Sequence, residues 1–455
     1  MTSSDLSIQE ITYKELVSQV HPSVFNALAF YRQTLHILPR LRHLMLRGHS
    51  SPSLINSLVF LSPTLSHIHL HINAEVSDCA VDTFFKTMEF YCQNNLRTFS
   101  FSHGRSGPFV PPITNALLSL LQCAQNLTRV TLTLSTVTTG VFTQLATMPH
   151  LVVLRVNASR HSIAEAEVVT LEKINGAFPS LRELYLSNKA KTCSNIIKAV
   201  VSPRLETISL QIRYYSVEIL EAISKHSKTL RQLVLQVLDR KITPTQLSEV
   251  WFQPDQLLSC RALRVLSIVS PNILYITPDL LETMATTWHE IQYLSLNPCP
   301  SALLDPFPTP ANGVTLASIE PFMHATAIRH LGLIFDAHAP LAQGYTFKRD
   351  TAGAAFPPGS TLCTLDPGCS PLPEDIGPVS VAISNLFPNA VLGHDEGLSG
   401  KRNYLYKEHA ERWKQVDWIV RRMKEKQEQS NKAQEDLTNE VKSLKAKLRK
   451  RGGEE

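Results

Sequence analysis

Residues 65–73 read LSHIHLHIN, with apolar side chains at Leu65, Ile68, Leu70 and Ile72 and histidines at 67, 69 and 71. The frame Leu65-x-x-Ile68-x-Leu70-x-x-Asn73 follows the leucine-rich-repeat pattern L-x-x-L-x-L-x-x-N. The same apolar triplet recurs along the chain: Leu41/Leu44/Leu46, Leu65/Ile68/Leu70, Leu96/Phe99/Phe101, Leu127/Val130/Leu132, Leu151/Leu154/Val156 and Leu181/Leu184/Leu186. It continues at Leu205/Ile208/Leu210, Leu230/Leu233/Leu235, Leu263/Leu266/Ile268, Ile291/Leu294/Leu296 and Ile328/Leu331/Leu333. First positions lie 24, 31, 31, 24, 30, 24, 25, 33, 28 and 37 residues apart. One apolar triplet means little, but eleven in near-regular order define a repeat.

The wording upstream of the triplets repeats too: LPRLRHLML, SPTLSHIHL, MPHLVVLRV, FPSLRELYL and SPRLETISL. Proline there ends a preceding helix and favours an extended entry. Between triplets lie stretches with apolar residues at three- and four-residue steps, such as AVDTFFKTMEFYC, ITNALLSLLQCA, AEVVTLEKINGAF, SVEILEAISKHS and PDLLETMATTW, each predicted to be helical. Thr243 and Thr277, each before a proline, read as helix N-caps. One strand and one helix per unit cannot bury their apolar faces alone, so the units must stack. The expected fold is therefore α/β: a leucine-rich-repeat solenoid, a ribonuclease-inhibitor-like horseshoe with a parallel concave sheet, helices outside and a charged C-terminal helix.

The expected organisation has four parts. Residues 1–40 form an N-terminal helical cap, and 41–336 the solenoid. Residues 337–400 are a Pro/Ala/Gly-rich irregular segment with degenerate terminal repeats: Leu362-x-x-Leu365, with Pro367 where the third apolar residue belongs, and VSVAISNLFPNAVLG. Residues 401–455 form a charged helix with a weak coiled-coil seam of Val416, Val420, Met423, Leu437, Val441, Leu444 and Leu448, interrupted by Gln427, Ser430 and Gln434.

The chain has 455 residues, 43% hydrophobic and 18% charged, a globular mix. A net charge of +5 implies no strong field for nucleic acid. The eight cysteines are scattered without a CxxC pair and read as reduced thiols. The first 20 residues lack the basic and apolar regions of a secretory signal, and no apolar run spans a bilayer, so a cytoplasmic or nuclear location is expected. The motifs GxxxxGKS/T, GxGxxG, HExxH and GxSxG are absent, and no cofactor or catalytic residue is expected.

If the first, fourth and sixth positions of each unit face the core, the third, fifth and seventh line the concave sheet. The candidate partner-binding residues are His43, Arg47, His67, His69, His71, Arg129, Arg155, Glu183, Tyr185 and Tyr293. Glu183 is the only carboxylate in the whole set of such positions, and Arg forks suit carboxylate and phosphate. The expected ligand is an acidic or phosphorylated protein segment. His67 and His71 lie some 13 Å apart along a strand, too far to share an ion, whereas His43, about 4.8 Å sideways, with His67 and His69 makes a conceivable metal set. No carboxylate joins that set to orient an imidazole, and the expectation is no metal.

VFNALAFYRQTLHILPRLRHLML, the LPxLxxLxL units, LDPGCSPL, VAISNLFPNAVL and ERWKQV together resemble the F-box/leucine-rich-repeat proteins of mushroom-forming (basidiomycete-type) fungi, over roughly residues 20 to 420. In that family an N-terminal F-box docks the Skp1-type adaptor of a ubiquitin ligase and the repeats select the substrate. SSDLSIQEITYKELV carries no Leu-Pro opening, so the F-box is expected to be missing or unrecognisable. The resemblance implies a substrate-recognition module. The alternatives left open are a scaffold of the same fold with no ligase role, self-associating through the C-terminal helix, and, more remotely, a metal-dependent enzyme.

Overall fold

The computed structural model describes residues 8–14, 38–92, 94–104, 111–157, 176–238, 254–271, 276–298, 313–338, 361–393 and 404–451, with Val24, Ala27 and Leu274. The chain divides into two compact units, Met1–Leu263 and Arg264–Glu455.

In the first unit, among the described residues, nine strands follow one another in space as in sequence: β1 (Glu10–Lys14), β2 (His43–Gly48), β3 (His67–Ile72), β4 (Thr98–His103), β5 (Arg129–Thr133), β6 (Val153–Asn157), β7 (Glu183–Asn188), β8 (Thr207–Ile212) and β9 (Gln232–Val237). Every neighbouring pair is parallel and in repeat register, so Leu44, Ile68, Phe99, Val130, Leu154, Leu184, Ile208 and Leu233 stand in one row. That row and the next, Leu46 to Leu235, are at most 3% exposed. Such a parallel ladder needs a crossover after each strand. Among the described residues these crossovers hold α1 (Ser51–Asn56), α2 (Asp78–Cys92), α3 (Pro111–Cys123), α4 (Thr139–Thr147), α5 (Ala190–Ala199) and α6 (Val217–Ser224).

The helices bury the faces their spacing predicts. In α2, Val81, Phe84, Phe85 and Met88 are fully buried. The Phe85 ring meets those of Phe99 and Phe101 edge-on at 6.2 and 5.0 Å, tying the helix to the inward rows of β4. The expected helix at AEVVTLEKINGAF and the Thr243 cap lie outside the described residues, apart from the last few residues of the former.

In the second unit β10 (Val265–Val269), β11 (Tyr293–Leu296), β12 (His330–Leu333), β13 (Thr364–Asp366) and β14 (Val391–Leu392) are again parallel and sequential. The helices are α7 (Pro278–Thr287), α8 (Gly377–Leu386) and the long α9 (Tyr404–Arg451). Thr277 caps α7 as expected, its hydroxyl accepting from the Leu280 amide at 3.3 Å with Pro278 in the first turn. The fold is a leucine-rich-repeat solenoid.

Two expectations are corrected and one is given its detail. Glu10–Lys14 is not part of a helical cap: it adds a strand beside β2, Tyr13 standing opposite Leu46. The degenerate repeat at Leu362 and Leu365 is present as expected, Pro367 included. Pro367 is buried at the third apolar position, and Gly368 turns at φ +52° against the Pro298 carbonyl, where a Cβ would have no room. The sheet thus runs past residue 336 through both degenerate repeats. Finally, the first part of the coiled-coil seam is core. Val416 and Val420 are at most 1% exposed, and Trp413, fully buried, meets Phe335 edge-on and donates its indole N–H to the Ser370 carbonyl at 2.8 Å. Asp417 accepts the Leu392 amide of β14 at 3.2 Å, covering an edge that otherwise invites another strand. From Glu425 to Ala446 the helix is exposed throughout, Leu437, Val441 and Leu444 included.

Candidate functional site

Alternation along each strand places the residues between the buried rows on the open face. Register then assembles them laterally. Across β2–β7 one row runs His43, His67, Thr98, Arg129, Val153, Glu183, and the next Met45, His69, Ser100, Thr131, Arg155, Tyr185. A third begins Arg47, His71, Ser102.

Five of the ten expected residues, His43, Arg47, His67, His69 and His71, form one patch on β2 and β3. The rings of His43 and His67 meet edge-on at 4.2 Å. Ser66 Oγ lies 2.8 Å from His67 Nδ1, and Ser102 Oγ 2.7 Å from His71 Nδ1. Burial, then His43 and His69 and the charges of Arg129 and Arg97, hold His67 below the usual imidazole range. Burial and His43 do the same for His69, and burial, Arg47 and His49 for His71. The causes are desolvation and like charge, so the patch disfavours further positive charge. Among the described residues no group of three His, Cys, Asp or Glu side chains is placed to hold a metal ion.

Arg129 stands two strands from His67, exposed and without an acid partner among the described residues, as does Arg47 on β2. Arg155 differs. Its guanidinium carbon lies 4.2 Å above the Tyr185 ring, its Nη2 is 3.8 Å from Glu183 Oε2, and the Tyr185 hydroxyl donates to that same oxygen at 3.0 Å. Arg155, Tyr185 and Glu183 thus satisfy one another, whereas Arg47 and Arg129 have no acid partner among the described residues. Tyr293 belongs to the second unit, where its ring stacks on His330 at 4.1 Å and 5°.

A second feature was not anticipated. At the end of the sheet where the strands β4–β8 begin, a groove of about 560 Å³ is lined by Arg97, Asn126, Thr128, His150, Val152, Ser180, Arg182 and Arg204. Every lining residue flanks the first leucine of its repeat, either just before it or just after. The backbone here is tied down: the Arg97 carbonyl accepts from Thr128 and Arg129, that of Val152 from Arg182 and Glu183, and that of Arg182 from Glu206 and Thr207, at 2.8–3.0 Å. The signal was present in LPRLRHL, NLRTF, FPSLREL and SPRLETI, where arginine flanks the leading leucine, but alternation within strands draws the eye to the face and away from this rim.

The buried thiols are inert, burial pushing Cys193 up to about 12 and Cys260 to about 11. No helix among the described residues is long and apolar enough to cross a membrane.

No family model matches the chain, and no curated protein does. Among solved structures it is similar to one described as the crystal structure of a Rad7 and Elc1 complex in yeast, at 14% identity and a TM-score of 0.39, over 84% of this chain and 88% of that one. A likeness that loose carries no argument, and the assignment of fold stands on the repeat, its register and its buried rows.

Proposed function

We propose that this chain is a protein-interaction module, the substrate-recognition part of an F-box-type ubiquitin-ligase receptor, whose open sheet face takes an acidic or phosphorylated protein segment. The observation that carries the acidic ligand is the patch of Arg47, Arg129 and the three β3 histidines, which lacks an acid partner on a rigid parallel sheet. Charged forks fixed on strands lose little freedom on binding, so they hold a carboxylate-bearing segment better than loops would. The ligase role rests on the family resemblance alone.

The test has two arms. A fluorescent Glu/Asp-rich peptide should bind the full chain, and a matched Gln/Asn peptide should not. Arg129→Glu should weaken that binding about tenfold or more, and equal affinity of both peptides would end the acidic-segment reading. Co-purification with a Skp1-type adaptor decides the ligase role separately. Its absence leaves a recognition scaffold of the same fold.

A further inference from the structure

We infer that the groove at the strand-entry rim of β4–β8 is a receptor for a phosphate monoester carried on a protein segment, held between Arg182 and Arg204 with His150 beside them. The inference rests on the same interaction role as the open face but on a different surface.

The chemistry of the lining points there. The hydroxyl and amide donors in the groove are already committed to neighbouring carbonyls: Asn126 to Asn94 at 2.8 Å, Thr128 to Arg97 at 3.1 Å and Ser180 to Pro149 at 2.5 Å. These bonds lock adjacent repeats together and leave the cations as the groups that can turn to a ligand. Arg97, His150, Arg182 and Arg204 make no ion pair among the described residues, and no carboxylate lines the groove. Glu206, the register partner of Arg182, makes no ion pair with these cations among the described residues.

Spacing then favours one phosphate over a chain of them. Arg182 and Arg204 belong to adjacent repeats, Arg204 standing two residues before Glu206, the register partner of Arg182; strand spacing and rise put them roughly 8 Å apart along the rim, within reach of two long side chains that converge on one anion. Arg97 lies three strands away, roughly 14 Å, and meets a flanking acidic residue of the same segment. Each guanidinium offers five N–H donors in a plane. Two such forks carry two positive charges, one more than a carboxylate neutralises, and match the three oxygens and near-double charge of a phosphomonoester. Single-stranded nucleic acid needs aromatic platforms for its bases, and no ring other than His150 lines the groove.

The experiment uses the full chain and a labelled phosphoserine peptide in an Ala/Gly background, with the Ser and Glu versions and a single-stranded oligonucleotide of equal length as comparators. The phosphopeptide should bind at least tenfold tighter than either other peptide. Arg182→Gln and Arg204→Gln should each cost about tenfold, with the Glu and Ser peptides unaffected. Arg129→Glu, which alters only the open face, should leave the phosphate preference intact. Loss through Arg129→Glu with the groove variants unchanged would overturn this inference and leave the open-face reading standing. Loss in the groove variants alone would do the converse. Equal binding of phosphorylated and plain peptide by the unaltered protein, or an oligonucleotide that outcompetes the phosphopeptide, would also overturn it, and neither depends on how any variant folds.

Discussion

The two ends of the first unit's sheet share one backbone and one core but differ in how their exposed side chains are satisfied. From β2 to β5 the open face carries Arg47 and Arg129 without acid partners among the described residues, and histidines held low by burial and like charge. From β7 to β9 the polar groups answer one another. Ser187 Oγ donates to Gln211 Oε1 at 2.8 Å, Gln211 Nε2 to Gln236 Oε1 at 3.2 Å, and the Tyr185 hydroxyl to Glu183. A repeat therefore dictates where side chains stand, while function is decided by which of them find partners within the fold. On the open face, the polar groups of one end are met within the fold and the cations of the other are met by no acid among the described residues.

If that contrast belongs to the surface alone, the core beneath both ends must be equally strong. Phe101 under the basic end and Leu235 under the neutral end are both fully buried. Phe101→Ala should cost about 3–5 kcal/mol and Leu235→Ala about 2–5 kcal/mol, read as the urea midpoint of unfolding. A marginal cost at either site would show that the two ends differ in packing as well, and the comparison would fail.

The next effect is on binding. Arg129→Glu should weaken the Glu/Asp-rich peptide by at least about tenfold, whereas Gln232→Glu, at the equivalent repeat position in β9, should change it by less than about threefold. Equal losses would mean that the whole sheet, rather than one end, attracts the ligand through long-range charge. A raised salt concentration separates the two cases, because direct pairs are screened less than distant ones.

Stability should show the reverse order. Gln211 bridges Ser187 and Gln236, so Gln211→Ala should cost about 1 kcal/mol, two modest hydrogen bonds offset by regained side-chain freedom. Arg129→Ala touches no partner and should stay within about 0.5 kcal/mol of the unaltered protein. Thermal unfolding of the two variants side by side decides this, and a costly Arg129→Ala would reveal a structural role for that side chain.

The fold was legible because its signal is redundant. Eleven apolar triplets each repeat one message, and the register follows once the first, fourth and sixth positions are assigned to the core. What was illegible depends on single contacts. Glu10–Lys14 follows Ile8 at the leading position, with Ile11 and Tyr13 next, but no proline precedes this triplet as it does many of the others, and its pairing with β2 identifies it as a strand. Val416 and Val420 fit a coiled-coil seam and a buried face equally well by periodicity, and the contacts of Trp413 with Phe335 and Ser370 decide between them. The site was read in the same uneven way. The histidine grid follows from alternation, but the capture of Arg155 by Glu183 and Tyr185 needs side-chain geometry. The rim groove was visible only to someone comparing the flanks of each leucine rather than the strand that follows.

The smallest effect is the response to pH, and its sign tests the contrast most directly. His67, His69 and His71 are held below the ordinary imidazole value of 6.5 in the fold. As pH falls through 6.5 the unfolded chain takes up protons before the folded one, so these residues add nothing to instability above 6.5 and lower stability progressively below it. Because their rings are partly exposed, the decline between pH 7.5 and 5.5 should be slight, about 1–2 °C in Tm. Replacing all three by Gln should flatten part of the slope. His226 and His330, both lowered mainly by burial, should keep the remainder. Binding of the acidic peptide should move the opposite way, tightening at low pH as the imidazoles gain charge, because an anion favours the very protonation that the empty fold resists. Parallel weakening of stability and binding would show that the histidines merely hold the strands together, and that the acidic ligand is met by the arginines alone.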